Sequence, residues 1–234
     1  MQSFTAGGTA LVVGASGGIG QALLVQLRAQ ACFERVVGLG RHGGVALDLC
    51  DEDSIATAAA LVAHDKLPVR LLINAAGVLH GEGVQPEKAL RELDPAQMAR
   101  AFAINAIGPA LLLKHFVPLF ARNGKSVFAS LSAKVGSIGD NRLGGWYSYR
   151  ASKAALNQLV KTAAIECRRS HAEAVCIALH PGTVATRLSS PFAKSGLAVQ
   201  TPAVAASRLL ATIDRLGTES SGGFFDADGE ALPW

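Results

Sequence analysis

The segment Thr9-Ala10-Leu11-Val12-Val13, followed at once by Gly14-Ala15-Ser16-Gly17-Gly18-Ile19-Gly20, constrains this chain most. A short apolar, β-prone run enters a glycine-rich turn. A helical pattern then extends from about Gly18 to Ala31, with Leu23, Leu24 and Leu27 on its inner side. Strand, glycine turn and helix in that order open a dinucleotide-binding unit. Glycines let the backbone approach a pyrophosphate, and the helix start offers free N–H groups and a positive dipole end. The spacing is G-x-x-x-G-x-G through Gly14, Gly18 and Gly20, which differs from the commoner G-x-G-x-x-G.

Strands and helices alternate along the rest of the chain. Strands are expected at Arg35 to Leu39, Val45 to Leu47, Val69 to Ile73, Ser126 to Leu131, Val175 to Leu179 and, at an edge, Gly222 to Phe225. Helices are expected over Asp51 to His64, from Asp94-Pro95 through Leu112, over Trp146 to Arg168, and from Thr201-Pro202 to about Leu216. The pattern predicts an α/β fold: a Rossmann-type doubly wound, mainly parallel seven-stranded sheet, helices on both faces, one domain over residues 1–234.

Ligands in such sheets bind at the carboxyl ends of the strands. Arg41 follows the second strand, where an acid would hold the ribose of NAD; a guanidinium there suits a 2′-phosphate, so NADP(H) is favoured over NAD(H). Asp48 is placed either to bond the adenine amino group or to cap the next helix. Asn74-Ala75-Ala76-Gly77 ends a central strand with small residues that let a flat ligand lie against the backbone. Pro109 removes a helix donor and frees a carbonyl near Asn105, which a water or a side chain can take; equally, Asn105 can simply seal the kink. Ser132 stands at the end of the fifth strand. Tyr149 and Lys153, four residues apart on a helix, share one face. A free phenol has a pKa of about 10, and a neighbouring ammonium is expected to lower it. The two therefore form a proton-transfer pair.

Half of the residues are hydrophobic and 17% are charged, enough for a large core. The formal charge is +4, without a basic run, so no nucleic-acid footprint is expected. No continuous run reaches the roughly 18 apolar residues of a membrane span, and no signal peptide opens the chain. Cys32, Cys50, Cys167 and Cys176 lack metal or C-x-x-C spacing and suit reduced thiols. A cytoplasmic protein that binds no metal, membrane or nucleic acid is expected.

Taken together, Gly14 to Gly20, Asn74 to Gly77, Asn105, Tyr149-Arg150-Ala151-Ser152-Lys153 and Pro181-Gly182 resemble the short-chain dehydrogenases/reductases over nearly the whole chain. Gly136-Ser137-Ile138, Asn141, Gly144-Gly145 and the ending Leu232-Pro233-Trp234 look like the C-factor and sniffer-type branch. The resemblance implies an enzyme that moves a hydride between a nicotinamide cofactor and a carbonyl or alcohol. Tyr149 would be the general acid, Lys153 would bind the nicotinamide ribose, and Asn105 would hold a water behind it. Gly14, Ser16, Gly17, Gly18 and Ile19 would cradle the phosphates and ribose. Asp48 and Leu49 would lie at the adenine, Asn74, Ala75 and Gly77 along the cofactor, and Pro181, Gly182, Val184 and Thr186 near the nicotinamide. A homodimer or homotetramer through the Asp94 and Trp146 helices is implied too.

Three departures stand out. Val13 replaces the usual Thr. The position of the catalytic Ser is Ala133, with Ser132 one residue early and Ser137 a second substitute. The loop from Ser132 to Tyr149 is longer than in most members. The displaced Ser motivates an alternative, a nucleotide-binding signalling or scaffold protein with little turnover. Leu143, Trp146, Leu188, Phe192 and Leu197 would line the substrate pocket.

Overall fold

The structure is a computed structural model and describes residues 1–42, 44–81, 85–192 and 199–234. Seven strands form one parallel sheet: β1 (Thr9–Val13), β2 (Arg35–Gly40), β3 (Val45–Ala46), β4 (Val69–Asn74), β5 (Ser126–Leu131), β6 (Ala174–His180) and β7 (Phe224–Asp226). Their order is β3-β2-β1-β4-β5-β6-β7, with every neighbouring pair parallel. The direction of winding reverses between β1 and β4, the switch point at which such sheets bind ligands.

Both faces are covered, so the strands read as continuous apolar runs. Alternate residues still go to opposite sides. Ala10, Val12, Leu71, Ile73, Val127 and Ile177 meet α1 (Gly18–Arg28) and α6 (Pro202–Arg215) through Leu23, Leu27, Leu209 and Ile213. Leu11, Val13, Leu72, Phe128 and Cys176 meet α2 (Glu52–Ala63), α4 (Gly108–Phe116) and α5 (Tyr147–Ser170) through Ile55, Leu112, Phe116, Leu156 and Val160.

Three helix starts fall where their capping residues stand. Asp51 accepts from Asp53 N at 3.0 Å, Asp94 from Gln97 N at 2.7 Å and Thr201 from Val204 N at 3.3 Å. The helix from Asp94 is not continuous α-helix. α3 (Pro95–Phe102) passes through a π-helical turn, Ala103–Ile107, into α4. There Gly108 N–H bonds Ala103 O, five residues back, just before Pro109, which has no N–H to give. The helical run Pro95–Leu119 is long and apolar enough to cross a membrane by composition alone (mean hydropathy 1.4). It packs against α5 and α2, with Leu112 and Phe116 fully buried.

Register brings the strand ends level. Val13 pairs with Leu39 and with Asn74, and Asn74 pairs with Ser130. The residues that follow β1, β2, β4 and β5 therefore emerge along one rim of the sheet.

Candidate active site

At the rim after β1, the glycine turn is closed so tightly that side chains are excluded. Gly14 has φ +78°, and a Cβ there would lie 2.7 Å from Ala76 N. At Gly20 a Cβ would run into the Gly14 carbonyl oxygen. Gly17 N–H donates to Gly14 O at 3.0 Å. Gly17 is the N-cap of α1 and provides no side-chain cap, and no acid stands in the first turn. Ser16, Gly17 and Gly18 are exposed and Ile19 is half-buried. The start of α1 thus presents uncapped N–H groups to solvent, an arrangement that fits an anionic phosphate group. Thr186, after β6, comes to within 3.3 Å of where a Gly18 Cβ would sit.

Arg41 is exposed beyond β2 and makes no ion pair among the described residues. Asp48 accepts from Cys50 N at 2.9 Å, while Asp51 caps α2, so Asp48 shapes a turn before that helix rather than capping it. Leu49 is buried and lies against Gly108. Asn74 is fixed on both sides: its Nδ2 donates to Ser130 Oγ at 3.0 Å and its Oδ1 accepts from Ala76 N at 3.2 Å. Ala75 N donates to Val13 O at 2.9 Å. These bonds tie the β4 exit to β1 and β5.

Gly77 is where two of the catalytic candidates, Asn105 and Lys153, meet. A Cβ there would sit 3.3 Å from Asn105 Oδ1 and 3.5 Å from Lys153 Nζ. Asn105, in the π turn, is fully buried. It accepts from Val78 N at 2.9 Å and donates to Val78 O at 2.8 Å and Ser152 Oγ at 3.1 Å. Both of its N–H groups are used within the protein, so the side chain seals the junction between the β4 exit and α5. Lys153 Nζ donates to Leu131 O at 2.8 Å and lies 5.9 Å from the centre of the Tyr149 ring.

The phenol and the ammonium are both buried, and this changes the expected electrostatics. Burial pushes Tyr149 up to about 12 and Lys153 down to about 8. Desolvation disfavours the charged form of each. The direction for Tyr149 is opposite to the lowering expected from a nearby ammonium, and burial is its cause.

Ser132 is buried and donates to Asn157 Oδ1 at 2.7 Å. Ser137 donates to Trp234 O at 3.2 Å and accepts from Asp140 N at 3.1 Å. Pro181, Gly182, Val184 and Thr186 form a turn held by Gln200. Gln200 Nε2 donates to Pro181 O at 2.6 Å, its backbone N donates to Thr183 O at 3.0 Å and its carbonyl accepts from Ala185 N at 2.9 Å. Trp146 packs edge-on against Tyr149 (6.3 Å between centroids) and against Phe192 (5.1 Å). Leu143 is almost fully exposed and Leu188 half-buried. Leu197 lies outside the described residues.

Asn157, Gln200 and Glu87 escape sequence reasoning. Asn157 carries a usable signal, since it continues the face of Tyr149 and Lys153 by one more helical turn. Gln200 and Glu87 sit in irregular segments and have no such period.

A family model described as enoyl-(acyl carrier protein) reductase matches residues 15–218. The C-signal of Myxococcus xanthus is 39% identical over 168 residues, 71% of this chain and 93% of that protein. The 1-hydroxy-2-glutathionyl-2-methyl-3-butene dehydrogenase of Rhodococcus is 32% identical, covering 97% of this chain and 99% of that protein. Among solved structures, an NADPH-bound carbonyl reductase from chicken fatty liver superposes with a TM-score of 0.86 at 26% identity, over 100% of this chain and 97% of the other. The carbonyl reductase Sniffer of D. melanogaster shares the fold, with a TM-score of 0.85 at 23% identity over 97% of this chain and 99% of the other. The chain belongs to the short-chain dehydrogenase/reductase superfamily of oxidoreductases, and within it resembles the C-factor and sniffer-like branch.

Proposed function

We propose that residues 1–234 act as one dinucleotide-binding unit that moves a hydride between NADP(H) and a small carbonyl or alcohol, with Tyr149 as general acid and base. The observation that carries this reading is the meeting of Asn105 and Lys153 at Gly77, with Lys153 Nζ 5.9 Å from the Tyr149 ring centre, on the rim that also holds the open start of α1. When bound, the nicotinamide supplies or accepts the hydride.

The chain's own residues bind, orient and move the proton. Gly14, Ser16, Gly17, Gly18 and Ile19 hold the phosphates through backbone N–H groups and the dipole of α1. Arg41 takes the 2′-phosphate. Asp48 and Leu49 stand toward the adenine, Asn74, Ala75 and Gly77 along the cofactor, and Pro181, Gly182, Val184 and Thr186 toward the nicotinamide. Tyr149 keeps its proton well above neutral pH and gives it to the carbonyl oxygen in reduction. Lys153, fixed by Leu131 O, stabilises the phenolate left behind. Ser132 donates to the substrate oxygen once its bond to Asn157 is exchanged.

Tyr149→Phe removes the proton and should lower NADPH-dependent reduction by roughly a hundredfold or more on an accepted aldehyde or ketone. Undiminished turnover would sink the assignment. Arg41→Ala should weaken NADPH but not NADH, measured by cofactor fluorescence titration. Equal affinities in the parent would remove the role of Arg41.

A second reading, a nucleotide-binding signalling or scaffold protein, is favoured by one observation: the hydrogen of Ser132 is given to Asn157. Tight NADPH binding without turnover of any compound in a broad carbonyl panel would select it. We place the protein in the cytoplasm, as a homodimer or homotetramer.

A further inference from the structure

α5 starts in an unusual way. Gly144, Gly145 and Trp146 have φ of +63°, +64° and +51°, three successive residues in the left-handed region. Two glycines adopt this freely, but Trp146 does so against a steric penalty. A strained residue persists only where its surroundings hold it. Trp146 is the N-cap of α5, and its side chain makes no capping bond. The first N–H groups of the helix that carries Tyr149 therefore need partners from elsewhere.

Glu87 provides them. It lies in the segment between β4 and α3, 61 residues before Ser148, and is only 3% exposed. One carboxyl oxygen accepts from Ser148 N at 3.2 Å and the other from the Ser148 hydroxyl. Its main-chain carbonyl accepts from Trp146 N. On the other side of the turn, Arg150 Nε donates to Gly144 O at 3.2 Å and Gly145 O at 3.0 Å. A carboxyl at a helix start is also favoured by the helix dipole. Glu87, Ser148 and Tyr149 line one small cavity with Val78, Leu79 and Arg100.

We propose that Glu87 is a positioning residue for Tyr149: a cap supplied across space that fixes the first turn of α5 and holds Trp146 against the phenol. The proposal rests on the reductase reading for its kinetic arm, but not for its spectroscopic one. Among the described residues the side-chain bonds of Glu87 and Ser148 join each other and none reaches the glycine turn of the cofactor cradle, so the cap acts on the aim of Tyr149 rather than on binding. A displacement of about 1 Å in a reacting group is enough to cost orders of magnitude in rate.

The test compares the parent, Glu87→Ala, Glu87→Gln and the milder Ser148→Ala. It reads kcat and KM on an accepted carbonyl compound, NADPH affinity, and acrylamide quenching of Trp146 fluorescence in a Trp234→Phe background, which leaves a single tryptophan. Glu87→Ala is expected to lower kcat roughly tenfold or more, while NADPH affinity stays within about threefold. Trp146 quenching should rise in step. Glu87→Gln keeps an acceptor oxygen for Ser148 and should restore most of both, and Ser148→Ala should fall between. If Glu87→Ala does not fold, the Gln and Ser148 variants carry the comparison.

Quenching and kcat like those of the parent in Glu87→Ala would overturn the proposal. So would a kcat loss matched by an equal loss of NADPH affinity, since that describes collapse of the whole site. A Gln variant as impaired as the Ala variant would also overturn it. A parent with no turnover on any carbonyl defeats the reductase reading instead, and Trp146 quenching then decides the role of Glu87 alone.

Discussion

Burial moves Tyr149 and Lys153 in opposite senses, and for Lys153 the consequence for stability has a definite sign. In the folded chain Lys153 titrates at about 8, against 10.5 for a free lysine. Between those values the unfolded chain binds more protons, so stability rises with pH across that window. Lys153→Met removes the effect. In urea titrations the parent should gain on the variant as pH rises from about 8 to 10.5; a constant difference would contradict the buried ammonium. Ser132 poses the other residue-scale question. Among the described residues Asn157 Nδ2 is buried without a partner, while Asn157 Oδ1 takes the Ser132 hydrogen. A half-turn of the amide would put Nδ2 on Ser132 Oγ and release the hydroxyl to donate to a substrate oxygen. A carboxylate in place of the amide has no such donor. Asn157→Asp should therefore lower kcat about as much as Ser132→Ala does, on the order of a hundredfold, and the double variant should add little. Full activity in Asn157→Asp would leave Ser132 outside the chemistry.

Among the elements, the strand–turn–helix at β1 and α1 has the least room for change. A Cβ at Gly20 would meet the Gly14 carbonyl, which is backbone and cannot swing aside. Gly20→Ala should therefore lower stability by about 1–3 kcal/mol, read as the urea midpoint. Gly81→Ala, with nothing within 4 Å of its Cβ position among the described residues, should leave the midpoint unchanged. Elements of this kind are legible in the sequence because their causes are local. β1, β4, β5 and β6 are apolar runs, and Asp51, Asp94 and Thr201 mark helix starts within a residue. The π turn is not legible: Pro109 announces a lost donor, but the widening at Ala103–Ile107 joins Asn105 to Val78, a contact across 27 residues. Glu87 and Gln200 are hidden for the same reason, as isolated polar residues whose partners come from distant segments. The shift of Tyr149 runs against the sequence expectation because a sequence shows its neighbour Lys153 but not the packing that dries the phenol.

The whole molecule leaves apolar side chains uncovered on the helices that flank the site. Ile107, in the π turn, is 52% exposed and Ile165, on α5, is 56% exposed. α3 and α5 pack together, so a second copy applied to this layer would bury the same helices on both sides, as a two-fold interface requires. A stable pairing needs about 800 Å² from each partner. The parent should sediment as a dimer or tetramer, and Ile165→Lys should shift it toward monomer, since a charge at the contact must be desolvated. Ile165 lies 16 residues beyond Tyr149, about 24 Å along the helix, too far to touch the phenol. Any loss of activity in Ile165→Lys should therefore track dissociation and recover at high protein concentration. A monomeric parent would exclude this face as an interface, and a loss of activity that ignored concentration would mean that α5 transmits the change to Tyr149 within one chain.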